Sequence, residues 1–201
     1  ILISMLIQQL IGITDIVFLG RLGEVELGAS ALGSTYFFTI FMIAFGFSVG
    51  AQIIMARRNG EQNFEKIGPV FYQGCSFLIV INLLFILLSY FLTPNLLKTI
   101  IESSEIYQST LEYVNWRIWG ILSASTIIMV RGFFVSITKT KVLSVISVIM
   151  VLTNVVLNYV LIFGKFGMPK LGISGAATAS NISEIVAVIV YILYFLVKVN
   201  L

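Results

Sequence analysis

The amino-acid sequence predicts an all-α, polytopic membrane protein built as a bundle of six transmembrane helices. Three observations carry that expectation. Apolar residues make up 59% of the 201 residues and charged ones only 10%, where a soluble domain carries roughly 25%. Mean hydropathy is +1.06. The apolar residues also fall in unbroken runs longer than the roughly 20 residues that a helix needs to cross a bilayer.

The first span, 1–19, is apolar apart from Gln8, Gln9 and Asp15. It starts abruptly at Ile1, without the basic start and small-residue cleavage site of a signal peptide. Ile1 is therefore expected to lie inside a helix that begins earlier, in a longer protein. The second span, 29–56, and the third, 67–91, contain no charge. The fourth, 109–130, carries Glu112 near one end and Arg117 inside. The fifth, 142–163, is again free of charge, and the sixth, 173–197, holds only Glu184. All six are expected to pack as a single lobe over 1–201.

The loops between spans set an orientation. Arg57, Arg58, Lys66, Lys139, Lys141 and Lys198 fall on one side; Arg21, Lys98, Lys165 and Lys170 fall on the other. The side richer in Lys and Arg is placed in the cytoplasm, so the glycine turns at Gly20 and Gly164 face outside. The net charge of +3 thus reflects membrane topology. No basic stripe with interleaved aromatics offers a nucleic-acid surface. Histidine is absent and Cys75 is alone, which removes the usual zinc sites, histidine-based catalytic sets and disulfides. No Gly-rich phosphate loop suggests ATP. Neither an enzyme nor a resident cofactor is expected.

Two short segments are alike. Residues 18–30 align without gaps to residues 162–174, both reading Gly-basic-apolar-Gly and then Leu-Gly-x-Ser. Convergent turn chemistry explains this more simply than a duplicated hairpin, although transporters often contain internal repeats. Gly46 with Gly50, and Gly172 with Ala176 and Ser180, recur at helical spacing and are expected to mark faces where helices approach closely.

Ionisable residues inside spans carry the chemistry, because burying Asp at a helix centre costs about 2.5 to 3.5 kcal/mol even on a lenient scale. Asp15 lies about one turn inside the outer end of the first span. Asn158 and Asn154 share a face of the fifth at similar depth, and Ser180 and Glu184 share a face of the sixth. A carboxylate with amide and hydroxyl oxygens suits a small hard cation, or a carboxyl group that binds and releases a proton. A purely structural role is the plain alternative: a hydrogen-bonding cap for Asp15, or a buried ion pair for Glu184. Arg117 reads as structural, snorkelling or pairing with Glu112. Arg131, Trp116 and Trp119 read as boundary and packing residues, and Tyr36–Phe38 as lipid-facing or packed.

Several segments resemble the multidrug and toxic compound extrusion (MATE) family of transporters. Thr14–Gly23 resembles the end of that family's first helix, Asn154–Gly164 its fifth, and Leu171–Ser180 the start of its sixth. Arg131-Gly-Phe-Phe, with Thr140-Lys141 following, resembles the end of the fourth and the loop after it. The resemblance implies one six-helix lobe of a twelve-helix protein, a partner C-terminal lobe, and a multi-pass location in a bacterial-type inner membrane. It implies export of small organic, often cationic compounds, driven by protons or sodium ions. Asp15, Asn154, Asn158 and Ser180 fall where the family's cation-site residues lie. The family commonly has Thr at the Ser180 position, and some members have Asp where this chain has Asn158. With that second carboxylate missing, either Glu184 replaces it or the site holds a single proton or ion.

Other readings compete. A lipid-linked oligosaccharide flippase would need a more cationic central cavity, for which only Arg117 is a candidate. A channel would show a filter segment or a polar pore stripe, and a receptor module offers no distinguishing motif.

Overall fold

The computed structural model describes residues 2–198, with the side chains of residues 2–5, 8 and 198 excepted. The expected position of Ile1 within a helix falls outside the described residues. The chain is all-α. Its helices are α1 (Leu2–Gly20), α2 (Glu24–Gly60), α3 (Ile67–Ile100), α4 (Ser104–Arg117), α5 (Ile121–Ser136), α6 (Lys141–Phe163) and α7 (Gly172–Lys198). Five stretches are long and apolar enough to cross a membrane: Glu24–Gly60, Phe64–Ile100, Ser104–Ser136, Lys141–Phe163 and Gly172–Val197. The described part of α1 adds a shorter apolar helix, Gln9–Gly20.

Several helices outrun their apolar cores. α2 extends beyond 29–56 because its polar ends are good helix termini: Glu24 and Glu26 occupy the first turn, Arg57 and Arg58 the last. Both pairs complement the helix dipole. α3 continues past residue 91, through Pro94, to Ile100. The fourth apolar run is a continuous helix over Ser104–Ser136 but not a uniform α-helix. A 3-10 turn at Ile118–Gly120 separates α4 from α5.

The apolar side chains divide into those that pack and those that face lipid. Toward one end of the bundle, Phe133, Phe134, Met129, Met55 and Leu143 are buried together, with Phe71 and Phe195 packed against them. Toward the opposite end, Leu19, Ala29, Tyr113, Ile162, Ile173 and Ala177 form a second core. Many large apolar residues point outward instead, among them Val80, Phe91, Leu152 and Val156. In water that surface would be untenable; in a bilayer it is the solvated face.

The two glycine turns lie at the same end of the bundle, where a Cβ on Gly172 would meet the Leu22 side chain at 3.5 Å. Their geometries differ. The first is tight, with Leu22 and Gly23 amides both bonded to the Leu19 carbonyl. The second uses left-handed Gly164 and Gly167, and Leu171 reaches back to the Leu161 carbonyl. Similar sequences here make different turns.

The small-residue expectation holds for α7 and fails for α2. Ala176 and Ser180 are buried, and next to them Gly175 comes so close that a Cβ would meet the Leu161 backbone at 2.8 Å. Gly46 and Gly50, by contrast, have nothing within 4 Å of a Cβ position. α2 packs through a different face, Ala44, Ser48, Ala51 and Met55. There Gly132 of α5 sits against the Ser48 carbonyl and Gln52.

Candidate functional site

Between the two cores, polar side chains from α1, α6 and α7 meet. Asn154 and Asn158 are one turn apart on α6 and wholly buried, and Ser180 is 4% exposed. Buried amides in a membrane bundle need partners, since no water or lipid oxygen satisfies them. They find them in one another and in Asp15. Asn158 Nδ2 donates to Asp15 Oδ1 at 2.5 Å and to Asn154 Oδ1 at 3.0 Å. Asn154 Nδ2 donates to Ser180 Oγ at 3.2 Å, and Ser180 Oγ donates to Asp15 Oδ2 at 3.2 Å. The four residues therefore close a ring of hydrogen bonds, joining three helices distant in sequence.

The ring retains unused acceptor capacity. Each carboxylate oxygen of Asp15 accepts one bond from the ring, although a carboxylate offers about four acceptor sites. Asn158 Oδ1 is buried and has no hydrogen-bond partner. A single carboxylate with neutral amide and hydroxyl oxygens is a donor set suited to a monovalent hard cation or to a proton.

Glu184 does not join the ring. One turn beyond Ser180, its Oε1 lies 2.5 Å from Arg117 Nη2. Its Oε2 accepts from Arg117 Nη1 at 3.3 Å and from Ser123 Oγ at 2.9 Å. The pair is mostly buried, with side chains 11% and 13% exposed. This corrects the expected pairing of Arg117 with Glu112. Five residues along a helix turn through about 140°, so the two point apart. Glu112 instead lines a hollow beside Gly23 with Glu24, Glu26 and Glu105.

The sequence reading missed the rest of this network. Arg117 stacks over the Phe37 ring, 3.8 Å from its centre. Its Nη1 also donates to Asn181 Oδ1 at 2.8 Å, while Asn181 Nδ2 donates to the Trp116 carbonyl at 2.7 Å, beside the 3-10 turn. Asn181 stands one residue after Ser180 and three before Glu184; that spacing was the available signal. Trp116 and Trp119 are half-exposed, and Trp119 Nε1 donates to Tyr90 Oη at 2.9 Å. Tyr36 is neither idle nor lipid-facing: its hydroxyl closes a ring with Ser89 and Thr93 of α3.

Asp15, Ser180, Arg117 and Glu184 line one cavity of about 350 Å³, walled by Phe37, Phe38, Phe41 and Tyr113. Arg131 lies on the wall shared with a second hollow, beside Ser48 and Gln52. A multi-pass helical lobe with a carboxylate held between its helices and opening to an aromatic cavity has the build of a membrane transport protein.

The family is defined by comparison. The MatE family model matches residues 1–160, and the chain belongs to that family. It is 29% identical over 185 residues to a probable multidrug resistance protein NorM of Idiomarina loihiensis, a match covering 90% of this chain and 39% of that protein. It is also 29% identical to the probable NorM of Photorhabdus laumondii, covering 98% of this chain and 44% of that one. The fold superimposes on an outward-facing multidrug resistance MATE transporter with a TM-score of 0.88 at 21% identity, covering 98% of this chain and 42% of the other. A eukaryotic MATE transporter matches with a TM-score of 0.88 at 25% identity, over 96% of this chain and 42% of its own. The chain thus spans about two fifths of the length of these relatives.

Proposed function

We propose that this chain is the N-terminal lobe of an ion-coupled antiporter that exports small organic, often cationic compounds across a bacterial-type inner membrane, with a C-terminal lobe as partner. Asp15 is its coupling carboxylate, and Asn154, Asn158 and Ser180 complete the site for a proton or sodium ion. The observation that carries this reading is the closed ring around Asp15, with the Asn158 oxygen buried and unpartnered beside it. Burial of a carboxylate in lipid is expensive, and a cap alone would not need three further polar residues from two other helices. One monovalent cation taken inward across 100 mV releases about 2.3 kcal/mol, enough for a gradient of roughly fiftyfold. The flippase alternative calls for free positive charge in the cavity; of the two arginines on its wall, Arg117 and Arg131, the first is neutralised by Glu184.

The test is Asp15→Asn in the full-length transporter, reconstituted in vesicles with an imposed proton or sodium gradient. The substitution keeps the shape and removes the charge. Gradient-driven efflux should vanish while yield and helicity stay normal; efflux at the normal rate would overturn the assignment.

A further inference from the structure

Two carboxylates face the Asp15 cavity, and whether both or only one serves a cation fixes how many ions this lobe moves. We propose that Arg117 sets that number at one, by locking Glu184 out of the cation site. The inference rests on the coupling role given to Asp15 above and concerns the stoichiometry of the same site.

The lock is built from several independent contacts. Both Glu184 oxygens are engaged by the Arg117 guanidinium, at 2.5 and 3.3 Å, and Ser123 holds Oε2 from α5. Such a bidentate charge-assisted pair is the strongest kind of side-chain hydrogen bonding. Arg117 is itself fixed by two further residues. Phe37 underlies the guanidinium, Asn181 accepts from Nη1, and Asn181 is in turn anchored on the Trp116 carbonyl. Gly120 completes the seat: a Cβ there would run into Arg117 Nη1 and Asn181 Oδ1. The local chain, from α2, α4, α5 and α7, is arranged around this one guanidinium.

The arrangement leaves Asp15 and Glu184 with opposite roles. Among the described residues the direct donors to Asp15 are neutral, Asn158 and Ser180, so no ion-pair contact occupies its carboxylate and it remains open to a mobile cation. Glu184 is neutralised by a fixed one. Ser180 and Glu184 lie four residues apart on the same face of α7. Released from Arg117, the Glu184 carboxylate would project beside Ser180, within the wall of the same cavity, and offer a second anionic ligand.

The test counts cations on the purified full-length transporter, as radioactive sodium bound at saturation and as protons taken up on acidification. The informative probe is the one whose count Asp15→Asn lowers, by one equivalent. With that probe, Glu184→Gln and the double variant Arg117→Gln/Glu184→Gln should match the unsubstituted protein. Arg117→Gln alone should gain one equivalent. The double variant keeps the test valid if Arg117→Gln fails to fold, because it buries no lone charge. An equal loss in Asp15→Asn and Glu184→Gln would overturn this inference alone, as would a folded Arg117→Gln with no gain. Counts unchanged by Asp15→Asn with both probes would overturn the Asp15 reading, and this one with it.

Discussion

Asn158 holds Asp15 across the α1–α6 interface, its amide nitrogen 2.5 Å from the carboxylate oxygen, although the two are 143 residues apart in the chain. This contact gives the most direct prediction about the site. A hydrogen bond to a charged group is worth about 1.5–3 kcal/mol, or roughly 10- to 100-fold in affinity. The lost donor stabilises the ionised carboxylate, so Asn158→Ala should strengthen proton binding by that order; it also removes the unpartnered Oδ1 as a ligand and should weaken sodium binding. Titration of the purified full-length protein measures it, and an unchanged affinity would remove Asn158 from the site.

Two glycines should respond oppositely to the same substitution. Gly120→Ala forces a methyl group into the Arg117–Asn181 contact and should destabilise by about 1–3 kcal/mol, the usual range for overpacking. Gly46→Ala meets nothing within 4 Å and replaces a poor helix former inside α2. It should be neutral or stabilise by up to about 1 kcal/mol. Thermal unfolding in detergent separates them; equal effects would contradict the packing described for α2 and α5.

The Arg57–Glu61 end of α2 should loosen in acid. Hydrogen bonds from Arg57 and then Arg58 hold the Glu61 carboxyl below its ordinary value of 4.5. A group whose pKa is depressed by folding stabilises the folded state above its unfolded value and loses that contribution as pH falls through the folded value. Hydrogen-exchange protection factors at residues 57–63, referred to the intrinsic exchange rate at each pH, should therefore fall below about pH 4.5, and high salt should blunt the change. Protection factors that are flat with pH would show that the ion pairs do not order this turn.

Cysteines placed at Arg21 and Lys165 should label alike with an impermeant reagent, from the outer face. The contact between Leu22 and Gly172 brings these two turns together. Opposite accessibility would overturn the arrangement of spans.

Much of this architecture was legible because lipid imposes a simple rule: long charge-free runs become helices. The ring was legible for a related reason. Asp15, Asn154, Asn158 and Ser180 are costly residues at matched depth, and burial forces such groups together. What stayed hidden depends on side-chain direction. Gly46 and Gly50 have the spacing of a packing motif, yet the buried face of α2 is offset from them. Arg117 and Glu184 lie 67 residues apart, so only the fold shows that they meet. The turn at Ile118–Gly120 leaves no mark in hydropathy, because the residues around it are as apolar as those of an unbroken helix.

That turn also has a mechanical consequence. Across Ile118–Gly120 the backbone stays in the right-handed helical region but winds more tightly. A 3-10 segment has three residues per turn where an α-helix has 3.6. Over three residues the chain therefore advances about 60° further around its axis. In an unbroken α-helix Ser123 would point about 120° away from Arg117; the tighter winding brings it to within about 60°. Both side chains then reach the same carboxylate, Glu184, from one side of the crossing.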